Sequence, residues 1–355
     1  MLHLLEDDGV EIPTVEQIQD KVEGVLIAHG YVRTAKSYIL YRAERTRIRD
    51  MNTRLMKTFE DITYSDAKES DIKRENANID GNTPMGAMLK YGSEGAKHFN
   101  EMYVLNPKFS EAHRNGDIHI HDLDFYTLTT TCCQIDILKL FKDGFSTGHG
   151  VLREPNDISS YSALACIAIQ SNQNDQHGGQ SIVNFDYGLA PGVKKTYKKR
   201  YYRLLKNALE LLDSKLVDDE INCLKDTLQK EGFEPTLDDN PEYNEREKQL
   251  LVEKGFDEKE VEKVQAFTRR KAAEETDKAT YQAIDAFIHN LNTMHSRAGA
   301  QTPFSSINYG MDTSTEGRMV MKNMLLVTEA GLGHGETPIF PIQIFRVKEG
   351  VNYNP

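Results

Sequence analysis

GDIHIHDLDFYTLTTTCCQI, running from Gly116 to Ile135, is the stretch on which the fold turns. Ile118 and Ile120 alternate with His119 and His121, the period of a half-buried strand, which predicts both imidazoles on one face, roughly 7 Å apart. Thr129, Thr130 and Thr131 are β-branched and predict a second extended segment that delivers Cys132 and Cys133. In an extended register those two thiols face opposite ways. Imidazoles and thiols brought together by adjacent strands make a reaction centre. Hydrogen-bonded core histidines and small buried cysteines are the other reading, and spacing alone leaves both open.

Working outward, 355 residues allow a large domain with a smaller appendage. A net charge of −12 argues against a duplex-binding surface, so no nucleic-acid partner is expected. A local basic pocket for an anionic small molecule stays compatible with that charge. Four cysteines without a CxxC spacing point to free thiols in a reducing compartment. The N-terminal MLHLLEDDGVE has acids where a signal peptide carries basic residues. The apolar run from Ala163 to Ile169 falls far short of the ~18 residues of a membrane span. A soluble, cytoplasmic protein without a membrane partner is the expectation.

Residues 13–49 read as two helices. Thr14 and Gln17 form a capping box, Gly30 stops the first helix and Thr34 can cap the second. Residues 50–80 are polar and read as a linker. The segment from Ser159 to Val193 begins as a buried helix and is then punctuated by Gly178, Gly179, Pro191 and Gly192. HGGQS, from His177 to Ser181, reads either as an anion-cradling loop or as a simple turn. A basic helix over 194–212 precedes a charged insertion, roughly 213–262, of helical turns and loop. A long helix over Val264–Ala300 carries Tyr281, Ile284, Ile288, Leu291 and His295 on one stripe, and PIFPIQIF is a short apolar strand. Strand, long helix and strand in alternation predict an α/β layered or barrel architecture.

Six ordered strings go further: ANIDGNTPMG, NGDIHIHDLDFYTLTTTCCQID, FSTGHGVLREPNDI, QSNQNDQHGGQSIVNFDYGLAPGV, AGAQTPFSSINYG and GLGHGETPIFPIQIF. Together they resemble the anaerobic (class III) ribonucleoside-triphosphate reductases over about residues 75–355. EQIQDKVEGVLIAHGYVRTAKSYILYRAERTRIR resembles the closing helices of an ATP-cone. The organisation expected is a partial ATP-cone over 1–50, a linker over 51–80, and the N-terminal portion of the reductase catalytic domain over 81–355. The fold implied is the N-terminal half of the ten-stranded α/β barrel of glycyl-radical enzymes, with a small helical cone remnant ahead of it.

The resemblance implies reduction of ribonucleoside triphosphates by glycyl and thiyl radical chemistry, with formate as reductant, for anaerobic DNA synthesis. It implies ATP and deoxynucleotide effectors, a homodimer, and an S-adenosylmethionine iron–sulfur activase as partner. Cys132 matches the family's non-radical active-site cysteine, which protonates the departing 2′-hydroxyl and returns a hydrogen atom; thiols are mostly protonated at neutral pH and their S–H bonds are weak. Cys133 is then packing. His121 matches a pocket histidine, and His119, beside it, contacts substrate. Glu154, Asp157, Gln170 and Lys199 fall where the family binds its deoxynucleotide effector. Some relatives carry Lys where this chain has Asp157, and a carboxylate there repels a triphosphate. Without the family, Lys198, Lys199 and Arg200 are a solvated helix face.

The thiyl-forming cysteine, the glycyl-radical loop and the four-cysteine zinc site are expected beyond the equivalent of Tyr353-Asn354-Pro355, and the cone's leading β-hairpin is not recognisable. Truncation at both ends, with no turnover by this chain alone, is the expectation. Two alternatives follow from the same residues. One is a non-catalytic nucleotide-binding regulatory fragment. The other is a metal-dependent hydrolase with His119 and His121 as a ligand pair and Asp122 or Asp124 nearby.

Overall fold

Thr14 and Gln17 form the capping box: the Gln17 N–H donates to Thr14 Oγ1 at 3.3 Å and the Thr14 N–H donates to Gln17 Oε1 at 2.9 Å. They start α1 (Val15–Ala28), which ends before Gly30 at φ +77°. These observations come from a computed structural model that describes residues 12–65, 80–127, 131–212, 218–297 and 301–354. Thr129 and Thr130, the first eleven residues and residues 66–79 of the expected linker lie outside them. Two compact units divide between Tyr126 and Thr127.

In the first unit, α2 (Val32–Tyr64) starts from Tyr31 without a side-chain cap, so Thr34 lies inside its first turn. Arg42 on α2 is paired with Glu16, Asp20 and Glu23 of α1, which holds the two helices together. The polar stretch read as a linker begins as helix, because α2 runs on to Tyr64. Leu55, Phe59 and Ile62 keep the helical spacing there, and Ile62 is buried. Phe59 meets Tyr91 of α3 (Pro84–Phe99) edge-on at 5.1 Å, and Thr63 Oγ1 is 2.7 Å from the Tyr91 hydroxyl. Thr83 caps α3 and Pro84 fills its first position, where a missing N–H costs nothing. A π-helical turn, Asn100–Val104, leads to α4 (Pro107–Asn115).

The second unit follows an α/β order. After β1 (Thr131–Ile135) come α5 (Ile137–Asp143), a small hairpin of β2 (Phe145–Ser146) and β3 (Val151–Leu152), and α6 (Ile158–Asp175). Then follow β4 (His177–Ile182), α7 (Phe185–Leu212), α8 (Asp218–Lys230), α9 (Pro241–Glu253), α10 (Glu258–Thr293), β5 (Ser305–Tyr309), α11 (Thr315–Ala330) and β6 (Ile342–Phe345). The main sheet has the order β1-β4-β5-β6 and is parallel throughout. Parallel neighbours need crossovers long enough to hold helices, and here every crossover carries at least one. The α/β class expected from the alternation is the one that forms.

Ile135, Ile182 and Ile307 lie in register across β1, β4 and β5 and are buried against the helices. Phe185 of α7 and Phe287 of α10 close the same core at 5.2 Å between rings. Pro191 and Gly192 do not break the chain but lie inside α7, as does Gly188. A Cβ on Gly188 would stand 2.2 Å from Cδ1 of Ile137, and one on Gly192 2.8 Å from the Tyr161 ring. Close packing demands glycine at both positions. Gly178 and Gly179 lie in β4, so HGGQS is a strand, not a loop or turn.

The charged insertion is more ordered than its polarity suggests. Its α8 and α9 pack Ile221, Leu224, Leu228, Tyr243 and Leu251 against the far half of α7 and the start of α10, in a core of their own. Glu247 is fully buried in it. Its carboxylate accepts from the Tyr243 and Tyr201 hydroxyls, both at 2.7 Å, and from Gln265 Nε2 at 2.9 Å. Burial pushes the Glu247 pKa up, and these three donors oppose the rise. The long helix α10 begins at its Asp257 cap and ends at Thr293, so His295 lies past it and is exposed. Among the described residues no helix is long and apolar enough to cross a membrane.

Candidate functional site

The histidine segment belongs to the first unit and is not a strand. Asn106 caps α4, and Gly116 ends it at φ +80°, a left-handed conformation that glycine adopts without penalty. The chain then folds back: the N–H groups of Asp117 and Ile118 both donate to the Ala112 carbonyl, and that of Ile120 donates to Nδ1 of His113 at 3.2 Å. Backbone donors spent on the helix end cannot enter a sheet ladder, which is why alternation of isoleucine and histidine fails to make a strand. The two imidazoles nevertheless stay close, His119 and His121 at 6.0 Å between centroids, with His113 5.5 Å from His119. His121 is well exposed, and its Nδ1 lies 2.8 Å from Oδ2 of Asp122. Asp124 accepts from Ser93 at 2.6 Å. Among the described residues no group of three or more His, Cys, Asp or Glu side chains is disposed to hold a metal ion.

The cysteine pair opens β1 in the second unit. Thr131 pairs with His177 while Cys133 pairs with Gln180, so β4 carries one extra residue here and Gly178 and Gly179 together stand opposite Cys132. Cys132 takes φ +54°, a left-handed conformation uncommon for a residue with a Cβ. Its thiol is exposed and lies against the backbone of Gly178: a Cβ there would stand 2.9 Å from the Cys132 sulfur. Cys133 turns the other way, packing against the main core, as expected for neighbours in a strand. Its S–H donates to Gln180 Oε1 at 3.1 Å, and Asn172 of α6 donates to its sulfur at 2.8 Å. Burial pushes the Cys133 thiol up, against the pull of Asn172. Cys166 is buried in α6 and pushed up to about 12 by desolvation alone; Cys223 is exposed on α8.

Asp157 is the N-cap of α6 and shares a capping box with Ser160. Burial disfavours its charge, yet the Ser160 amide and hydroxyl and the Lys199 ammonium outweigh that and hold the carboxyl below its usual range. Lys199 donates to Asn156 Oδ1 at 3.1 Å and lies 3.4 Å from Asp157 Oδ2, while Lys195 pairs with Glu154 and donates to the Pro155 carbonyl at 3.0 Å. Glu154, Asp157 and Lys199 therefore form one cluster at the start of α6. Gln170 lies roughly 20 Å further along that helix, at 1.5 Å per residue, and its buried Nε2 has no hydrogen-bond partner.

Sequence reasoning did not single out Asn172, Gln180 or Asp186. Asp186 is buried, and its Oδ2 accepts from the backbone N–H groups of Gly310, Met311 and Asp312 at 2.8, 2.9 and 3.0 Å. It ties the start of α7 to the turn after β5. The signal for Gln180 is its place two residues before Ile182, on the core side of a strand, where a buried amide needs partners.

The second unit is a parallel α/β sheet with a helix in every crossover and an exposed thiol, Cys132, beside a bulge in β4. Comparison with known proteins gives the family. The family model for anaerobic ribonucleoside-triphosphate reductase matches residues 75–355, and that for the ATP cone domain matches residues 2–47. The chain belongs to the anaerobic ribonucleoside-triphosphate reductase family. Proteins of that name from Salmonella typhimurium and Haemophilus influenzae are 26% and 28% identical to it over 96% of this chain, and each is covered over 40% of its own length. The reductase of Enterobacteria phage T4 is 29% identical over 79% of this chain and is covered over 38%. The chain thus spans about 40% of the length of the relatives it matches. A crystal structure of the Thermotoga maritima anaerobic ribonucleotide reductase with dATP and CTP aligns over 79% of this chain and 40% of its own, with 12% identity and a TM-score of 0.40.

Proposed function

We propose that this chain forms the N-terminal, nucleotide-handling portion of a reductase that converts ribonucleoside triphosphates to deoxyribonucleotides, with its parallel sheet contributing to a ten-stranded barrel. The observation that carries the reading is Cys132: an exposed thiol in a left-handed backbone conformation at the start of a sheet strand. Family membership adds the expectation of a glycyl radical, which would generate a thiyl radical on a cysteine other than Cys132 to take the ribose 3′ hydrogen, with formate supplying electrons. Cys132 gives its proton to the 2′-hydroxyl as that leaves as water and, once reprotonated, gives a hydrogen atom to the ribose carbon, the sulfur radical left behind being reduced by electrons from formate as it becomes carbon dioxide. Its exposure suits the first step, because a buried thiol cannot reach a substrate. His121 and His119 orient ribose hydroxyls or handle protons, with Asp122 holding the His121 ring.

Lys199, with Asp157 and Glu154 beside it, is proposed to contact a deoxynucleotide effector in a homodimer, and Gln170 is proposed as a separate contact. An anionic effector there competes with two carboxylates for Lys199 and Lys195, so the cluster fits a ligand that brings a cation or displaces those pairs. The ATP cone match supports nucleotide sensing by the first 50 residues. The domain organisation proposed is cone over 1–50, linker over 51–80 and catalytic portion from 81, with activation by a separate S-adenosylmethionine iron–sulfur enzyme and zinc outside this segment.

The test is Cys132→Ser in the full-length reductase containing this segment. Serine keeps size and a proton donor, but its O–H bond is too strong to return a hydrogen atom. Deoxynucleotide yield per glycyl radical, counted by electron paramagnetic resonance, falls to background while the radical persists. Retained turnover by the serine variant overturns the assignment.

A further inference from the structure

Gln180 is 1% exposed on the core side of β4, in the row that continues through Cys133 on one side and Ser305 on the other. The next row on that face is Ile135, Ile182 and Ile307. A carboxamide at such a place is tolerated only if its polar atoms are satisfied. Its Oε1 accepts from the Cys133 thiol at 3.1 Å and from Asn172 Nδ2, and its Nε2 reaches the Gly178 carbonyl at 3.5 Å. Asn172 also donates to the Cys133 sulfur. The β4 backbone is itself fixed here, because the Gln180 N–H donates to the Phe304 carbonyl at 2.8 Å.

These contacts fall on the two neighbours of Cys132. Cys133 follows it on β1, and Gly178 is the residue its sulfur lies against on β4. A left-handed conformation is disfavoured at a residue with a Cβ and persists only where the surroundings enforce it. We propose that Gln180 and Asn172 are positioning residues which, by gripping the Cys133 thiol and the Gly178 backbone, hold Cys132 in its left-handed conformation opposite the β4 bulge and so aim its thiol. Cys133 is then the handle, its half-buried thiol held fast so that its neighbour is presented to substrate. The aim at substrate rests on the function proposed above; the grip on Cys132 does not.

The experiment follows the thiol directly. This chain, and its Gln180→Leu, Cys133→Ala and Cys133→Ser variants, are alkylated with iodoacetamide from pH 6 to 10, and modification of Cys132 is followed by mass spectrometry with Cys223 as internal reference. Leucine has nearly the volume of glutamine without its polar atoms, and serine keeps an O–H that donates to Gln180 and an oxygen that accepts from Asn172. The expected result is a change of about threefold or more in the Cys132 rate, with a displaced pH profile, in Gln180→Leu and Cys133→Ala, and recovery in Cys133→Ser. If Gln180→Leu does not fold, the alanine and serine pair decides alone. A Cys132 rate and pH profile that stay put in Cys133→Ala, or serine doing no better than alanine, overturns the proposal. In the full-length reductase, kcat falls about tenfold in Cys133→Ala with KM nearly unchanged. Altered alkylation without a kcat effect keeps the grip and overturns the role of Cys132 in turnover.

Discussion

Replacing Asp186 by alanine tests how the sheet and helices of the second unit are tied together. One carboxylate oxygen serves three successive N–H groups, of Gly310, Met311 and Asp312, and the other accepts from the Tyr187 N–H at 3.0 Å. The donors on Gly310 and Asp312 are in buried surroundings, that on Met311 only partly so. Stranding a buried donor costs about 1 to 3 kcal/mol, so two of them amount to roughly 2 to 6 kcal/mol, the lower end holding if water enters. Converted at 1.4 kcal/mol per factor of ten, hydrogen exchange at these amides should quicken by about thirtyfold to twenty-thousandfold, if they open locally. Exchange mass spectrometry on a peptide spanning 305–320 reads this without assuming that the whole chain unfolds in one step. Asp186→Asn keeps one acceptor oxygen and should recover part of the protection. Protection within about threefold of wild type in the alanine variant would refute the reasoning.

Further outcomes follow from other contacts. Gly178→Ala places a Cβ 2.9 Å from the Cys132 sulfur at φ +91°, so it should lower stability by about 1 to 3 kcal/mol; an unchanged melting temperature would contradict the close approach. Glu247 has a raised pKa in the folded state, so between the ordinary carboxyl range and that raised value the folded chain binds more protons than the unfolded one, and stability falls as pH rises. Glu247→Gln should remove that slope, and parallel melting-temperature profiles for both proteins would show that Glu247 does not cause it. Thr14→Ala should destabilise α1 by about 0.5 to 2 kcal/mol, read as lost helical signal in a fragment of the first unit. In the full-length dimer, Lys199→Ala should weaken deoxynucleotide effector binding, read by calorimetric titration; equal affinity would return Lys199 to a surface pair with Asp157.

What could be read from the sequence was what local chemistry decides. The Thr14 and Gln17 box, the Gly30 stop, the TCCQI strand and the IQIF strand need only neighbouring residues to be recognised, and each is where its pattern put it. Asp157 followed by Ser160 was equally a cap, legible as such but overshadowed by its charge. Elements set by distant partners were not legible. His119 and His121 alternate with isoleucines, yet the ladder that would make them a strand loses to the hydrogen bonds closing α4. The polarity of residues 50–64 hid a helix whose buried face is only a few side chains wide. Gln180 and Asn172 stand eight residues apart, and nothing in a linear reading says that both meet a cysteine from another strand. The register slip opposite Cys132 that brings them together exists only once β1 and β4 are paired.

The opposite facing of Cys132 and Cys133 has a consequence for damage. Oxidation of an exposed thiol to a sulfenic acid is reversible when a second thiol stands near enough to close a disulfide, and otherwise runs on toward sulfinic and sulfonic acids. Cys133 is half-buried and committed to Asn172 and Gln180, Cys166 is buried in α6, and Cys223 is exposed on α8. Among the described residues Cys132 and Cys223 are the exposed thiols, so peroxide acts first at those two sulfurs, and Cys132 is the one that the β-bulge holds outward.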